Sequence, residues 1–256
     1  MNEFDIIAEY WDKQPCNIGH SFKPIGSKEY FDEVEMRKYF VEPHILRFVE
    51  FEKWMRKDVI EFGCGIGTDA INFMRVGANY LGIDLSPRSV QIANQRCKVF
   101  GFAQSCHVHN MEEEIPHVST KFDLVYSFGV LHHTPHPQLA LERMRNVIAR
   151  DGELRIMLYA TNSWKKMMIN AGLDQYEAQY GCPVVYTYHP DEIYELLSPE
   201  WRVNSIEQTH IFPYIVEDYK KLSYVKQPYF SAMNEKMFAT LEKNLGWHLL
   251  IKATPK

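Results

Sequence analysis

From Val59 onward the chain alternates short apolar runs with amphipathic stretches. Val59-Ile60-Glu61-Phe62 reads as a short apolar strand. Thr68 to Val76 gathers Ala70, Ile71, Phe73 and Met74 at helical spacing and predicts a helix. Tyr80 to Ile83 is a second strand, and Ser86-Pro87 opens the next helix. There the serine is an N-cap, and proline takes the first helical position, where a missing N–H costs nothing. Cys106 to His109 is a weaker third strand and Phe122 to Phe128 a fourth. A helix is expected over Gln138 to Ala149, after which Gly152 turns the chain into a fifth strand, Glu153 to Tyr159. Strands alternating with helices of this length predict a parallel sheet with helices on both faces.

The flanks have a different rhythm. Ahead of the first strand, Phe31, Val34, Tyr39, Ile45, Phe48 and Val49 recur at helical spacing between Lys28 and Glu50, despite Pro43. Gln14 to Gly26, with two prolines and two glycines, is expected to be irregular. After Tyr159, residues 161–188 read as irregular to helical, and Pro190 to Leu197 as a short helix. Trp201 to Phe212 and Trp247 to Ala253 are strand-like, separated by a helical stretch around Ser231 to Lys243. The expected division is a helical leader (1–57), a core (58–160), and a cap insert with C-terminal strands completing the same domain (161–256).

Composition narrows the function. With 256 residues, 46% of them hydrophobic, the chain suffices for one α/β domain with an added cap. The net charge is -5 and the basic residues are scattered, so a nucleic-acid partner is not expected. No apolar stretch is long enough to span a membrane, and the first residues lack the basic and apolar regions of a signal peptide. The five cysteines, an odd number with no CxxC pair, suit reduced thiols in the cytoplasm rather than disulfides or zinc.

The strongest chemical signal is Glu61-Phe-Gly63-Cys64-Gly65-Ile-Gly67, set between a strand and a helix. Glycines there permit a tight turn and close approach of a ligand to the backbone. Asp84 ends the next strand, 21 residues after Gly63, where a carboxylate accepts hydrogen bonds from ribose hydroxyls. A dinucleotide dehydrogenase usually spreads three glycines as G-x-G-x-x-G, whereas this chain has G-x-G-x-G after an acidic residue.

Together these motifs resemble class I methyltransferases that use S-adenosylmethionine (SAM). Asn110-Met111-Glu112 sits where that family cups adenine, Phe122 to Ser127 is similar to its fourth-strand motif, and Ala149 to Gly152 to the turn before strand five. The resemblance implies a Rossmann-like, seven-stranded, mainly parallel sheet closed by an antiparallel hairpin. It also implies SAM as cofactor and S-adenosylhomocysteine as product. Gly63, Cys64, Gly65, Gly67 and Thr68 would pass the methionine tail, with Glu61 drawing its amino group. Asp84 would hold the ribose, with Leu85 and Ser86 beside it. Asn110, Met111 and Glu112 would face adenine, and Ser127, Phe128 and Val130 the methionine portion.

His132, His133 and His136 follow the fourth strand. The H-H-x-x-H spacing is not a metal signature, because neighbouring histidines point apart and Thr134-Pro135 breaks any helix. His132 or His133 is instead a catalytic candidate, an acceptor-side base. The acceptor pocket is expected from the leader (Tyr10, Trp11, Cys16, His20, Tyr30) and the insert (Tyr159, Tyr176, Tyr180, Cys182, Tyr186, Tyr188, His189). The expected reaction is methyl transfer to O or N of a small metabolite by a monomer or homodimer. Alternatives are C- or O-methylation of a quinone-like ring, sulfur or arsenic methylation using Cys16 and Cys182, and a non-enzymatic SAM sensor or scaffold. Residues 8–31 mix large aromatics with helix breakers and are expected to close as a lid.

Overall fold

In the computed structural model, residues 2–116, 120–173, 175 and 181–256 are described below. Tyr176 and Tyr180 lie outside them. The leader holds α1 (Glu3–Lys13), α2 (Lys28–Val41) and α3 (His44–Val49). The alternating region runs β1 (Asp58–Phe62), α4 (Thr68–Arg75), β2 (Asn79–Asp84), α5 (Pro87–Val99), β3 (Cys106–Val108), β4 (Phe122–Phe128), α6 (Pro137–Val147) and β5 (Ile148–Tyr159). The remainder gives α7 (Trp164–Asn170), α8 (Pro190–Leu197), β6 (Trp201–Thr209), α9 (Val216–Tyr219), α10 (Pro228–Ser231), α11 (Glu235–Leu245) and β7 (His248–Pro255).

The strands form one seven-stranded sheet in the order β3-β2-β1-β4-β5-β7-β6. β3 through β5 are parallel, and β7 pairs antiparallel with both β5 and β6. Successive strand residues feed opposite faces, as the two-residue period requires. Val59, Leu124 and Tyr126 pack with α3, α4 and α5, whereas Ile60, Val125, Ile156 and Leu249 pack with α6 and α8. The order reverses between β1 and β4. That switch point opens a crevice at the carboxyl ends of the strands, where ligands bind in such sheets.

Local details amend several expectations. The α6 helix stops at Val147 because Ile148 already pairs with Phe122. Gly152 therefore lies inside β5, at a register irregularity, and makes no turn before it. Its packing still demands glycine, since an added Cβ would meet the Phe122 carbonyl at 2.9 Å. The short helices α9 and α10 carry too little periodicity to be foreseen. Among the described residues, no helix is long and apolar enough to cross a membrane.

Candidate active-site cleft

The β1 apolar run ends at Phe62 and the chain turns at Gly63 with φ 83°. A side chain there would be strained and would strike Val130, whose nearest methyl lies 2.3 Å from an ideal Cβ. Gly65, at φ 51°, has nothing within 4 Å of its Cβ direction, so its outer side is open space. Asp84 pins this turn from β2. Its Oδ2 accepts from the Gly65 N–H at 2.8 Å and its Oδ1 from the Ser86 N–H at 2.9 Å. Burial raises the Asp84 carboxyl above the usual range, opposed by those two hydrogen bonds. Each carboxylate oxygen keeps further lone-pair capacity for a diol.

The cleft at this switch point encloses about 1280 Å³ of empty space, its open mouth included. Glu61, Gly63, Cys64, Gly65, Thr68, Asp84, Leu85, Asn110, Met111, Phe128 and Val130 line it. The donor set therefore fits SAM, with a glycine-walled passage, a carboxylate at the end of β2 and an apolar ledge beyond. Four residues expected at the cofactor stand behind that wall instead. Gly67 backs onto Ala93, 3.0 Å from where its Cβ would be. Ser86 caps α5, accepting from the Ser89 N–H. Ser127 is buried and donates to the Phe62 carbonyl at 2.9 Å. Glu112 accepts from the His136 N–H at 2.8 Å and from the Thr134 hydroxyl, clipping two loops together.

Along the wall of the cleft lies a buried polar network that the sequence did not reveal. Lys38 Nζ lies 2.7 Å from Asp69 Oδ1. Tyr39 and Tyr126 each donate a hydroxyl to Asp69 at 2.8 Å. Burial pulls the Lys38 ammonium down, but the Asp69 charge and hydrogen bond more than offset this and hold it above its usual value. Beside it, Tyr80 donates to Glu61 at 2.5 Å. Burial and the Asp69 charge push the Glu61 carboxyl up to about 8. An arriving ammonium is the partner that would draw Glu61 into its ionised form.

At the far end the walls are Phe128, Met157, Tyr159, Trp11, His133 and His248. The two candidate bases part company here. His132 is fully buried, its ring tilted against that of Tyr159 at 3.7 Å between centroids, and does not line the cleft. Burial and the adjacent His133 hold it well below 6.5. His133 does line the cleft. Its Nδ1 stands 2.7 Å from the Val184 carbonyl, so that nitrogen carries the proton. Nε2 is thereby left as a bare acceptor, buried and with no hydrogen-bond partner among the described residues. Burial lowers its pKa to about 4, partly opposed by the Val184 bond.

Most of the expected acceptor residues do other work. Trp11 and Tyr159 line the cleft, as does the exposed Cys16. Tyr10 packs edge-on against Trp11, and His20 is buried against Tyr219. Tyr30 is fully buried and donates to the Ile18 carbonyl at 2.8 Å. Tyr186 is largely exposed, its hydroxyl reaching the Pro135 carbonyl, and Tyr188 packs against the core beside β5. His189 caps α8. Burial pushes the Cys182 thiol up to about 11, so it stays protonated at neutral pH, bonded to the Val184 carbonyl.

Comparison with known proteins agrees with this fold. A family model described as a methyltransferase domain matches residues 55–218. The ubiquinone biosynthesis O-methyltransferase of Glaesserella parasuis is 27% identical over 187 residues, covering 68% of this chain and 69% of that protein. The corresponding enzyme of Salmonella paratyphi A is 27% identical over 117 residues, 45% of this chain and 48% of its own length. The chain spans about half or less of the length of most curated relatives it matches. Among solved structures, magnesium protoporphyrin IX methyltransferase of Synechocystis PCC 6803 with bound S-adenosylhomocysteine superposes with a TM-score of 0.63 at 14% identity, covering 98% of this chain and 99% of that one. A SAM-dependent methyltransferase of Anabaena variabilis gives 0.62 at 16% identity, over 100% and 96% of the chains. The chain belongs to the methyltransferase-domain family and carries its class I, SAM-dependent fold.

Proposed function

We propose that this protein methylates a hydroxyl oxygen or amine nitrogen of a small metabolite, and that a flat hydroxylated ring is the acceptor its chamber fits best. The observation that carries this is the His133 imidazole in the wall of a chamber shared with Phe128, Tyr159, Trp11 and Met157, its Nε2 shielded from solvent and without a hydrogen-bond partner among the described residues. Flat apolar walls suit a ring, and the family likeness to ubiquinone biosynthesis O-methyltransferases supports the same acceptor class. SAM supplies a methyl group on a sulfonium, given up to a nucleophile with the C–S electron pair left on sulfur. His133 takes the acceptor's proton at Nε2 as the oxygen or nitrogen bonds to carbon. Its five cysteines, none of them in a disulfide, suit a cytoplasmic protein, acting as monomer or homodimer. Incubation with methyl-labelled SAM and a metabolite extract tests the acceptor class. Label in small hydroxylated rings supports it, label only in RNA or protein refutes it, and tight binding without transfer indicates a sensor.

Replacing His133 with asparagine is expected to lower kcat about 100-fold or more while S-adenosylhomocysteine affinity stays unchanged. With a pKa near 4, His133 is neutral and competent throughout the physiological range. The wild-type rate should therefore show no histidine limb between pH 6 and 8 and should fall only as pH approaches about 4. A limb near 6.5 would contradict this assignment.

The lid is narrower than residues 8–31. Tyr30 and Phe31 belong to a fixed core with Val34, Ile66 and Ile92. Phe4, Ile7 and Trp11 of α1 face the cleft. Asp12 latches α1 to the start of α5, accepting from the Ser86 hydroxyl at 2.5 Å and the Arg88 N–H at 3.0 Å. We assign closure to residues 3–17, covering the sulfonium. Amide exchange there should slow when S-adenosylhomocysteine binds. Slowing confined to residues 61–86 and 110–133 would show a static buttress.

A further inference from the structure

Three ligating side chains from separate elements converge on the inner wall of the cleft. Glu42 caps the end of α2, His44 begins α3 and His248 begins β7. His44 Nε2 lies 2.9 Å from His248 Nδ1, and Glu42 Oε1 lies 3.7 Å from that same nitrogen. One ligand atom from each residue lies within 4.8 Å of the other two. A histidine pair sharing one proton accounts for the first contact. Glu42 Oε1, at 3.7 Å, is beyond hydrogen-bond reach of that nitrogen, so the carboxylate faces the histidine pair without bonding to it.

An ion bonded to nitrogen and oxygen at about 2.0–2.2 Å sets neighbouring ligand atoms roughly 3–3.5 Å apart. The observed separations reach that range with small side-chain movements, chiefly of the partly exposed carboxylate. The histidine rings are already fixed. Both are 4% exposed, and His210 packs its ring 4.6 Å from His248 and 5.0 Å from His44. His210 itself holds a left-handed backbone, φ 73°, its carbonyl accepting from the Trp247 N–H at 2.7 Å.

We propose that Glu42, His44 and His248 form a binding site for a divalent first-row transition cation in the wall of the cleft. Two imidazoles and one carboxylate suit zinc, iron, cobalt or nickel, whereas magnesium and calcium prefer all-oxygen sets. Three protein ligands leave coordination positions open, as reactive metal centres require. Glu42 and His248 both line the cleft beside Phe128, Met157 and Tyr159, so those positions face the acceptor end. The ion there would hold an acceptor oxygen. That use rests on the methyl-transfer reading, but the binding of the ion does not.

Untagged, metal-depleted protein titrated with zinc by calorimetry and with cobalt by visible absorption tests the site. The expected result is one equivalent of each, with cobalt bands intense enough for four- or five-coordination. Glu42→Gln should weaken zinc binding at least about tenfold and His248→Ala at least about a hundredfold. Melting temperature reports whether each variant folds. If His248→Ala does not, the half-buried Glu42 decides alone. Substoichiometric binding, or full binding that Glu42→Gln leaves unchanged, overturns the proposal. Affinity for S-adenosylhomocysteine is read separately, so failure of the metal site is distinguishable from failure of the methyltransferase reading.

Discussion

Asp84→Ala is expected to lower S-adenosylhomocysteine affinity at least about a hundredfold. Hydrogen bonds to a charged acceptor are worth about 1.5–3 kcal/mol each, and a ribose diol offers two. A loss of about 3 kcal/mol is about a hundredfold in Kd. The effect extends beyond the ribose. Asp84 is also the acceptor for the Gly65 and Ser86 N–H groups, so its removal loosens the glycine turn itself. Asp84→Asn keeps one acceptor oxygen and should fall between the two. Calorimetry measures both variants, and undiminished affinity in Asp84→Ala would remove the carboxylate from the site.

Asp69→Ala is expected to destabilise the fold by about 3–5 kcal/mol, because removing one member of a buried ion pair strands the other. The Asp69 side chain is 1% exposed and that of Lys38 11%. The variant leaves a buried ammonium and also deprives the Tyr39 and Tyr126 hydroxyls of their acceptor. Urea unfolding measures the loss. Lys38→Met combined with Asp69→Leu should recover part of it, since an apolar pair avoids the desolvation penalty altogether. A cost below about 1 kcal/mol in the single variant would place the pair among surface bridges, against its burial.

The parts of the fold that the sequence made legible are those written locally. The alternation of strands and helices, the Ser86-Pro87 helix start and the glycine turn each depend on a few neighbouring residues. β5 defeated that approach because its first residues pair with Phe122, a partner defined only in the folded sheet. The same divide runs through the site. Gly63, Asp84 and Met111 sit where their local motifs place them. Ser127 and Glu112 do not, since their side chains satisfy backbone or loop groups behind the cleft wall. Aromatic content marked the acceptor side but not its members, because tyrosine serves core, rim and pocket equally well. Lys38 and Asp69, and likewise Glu42, His44 and His248, meet only through tertiary contacts, and no spacing in the chain announces them.

Calorimetric titration of the intact protein with S-adenosylhomocysteine, and in parallel with NADH, tests most directly whether the crevice between β1 and β4 is a SAM site. One equivalent of S-adenosylhomocysteine should bind, SAM should compete with it, and NADH should give no binding heat. Stoichiometric binding of NADH with none of S-adenosylhomocysteine would contradict the account.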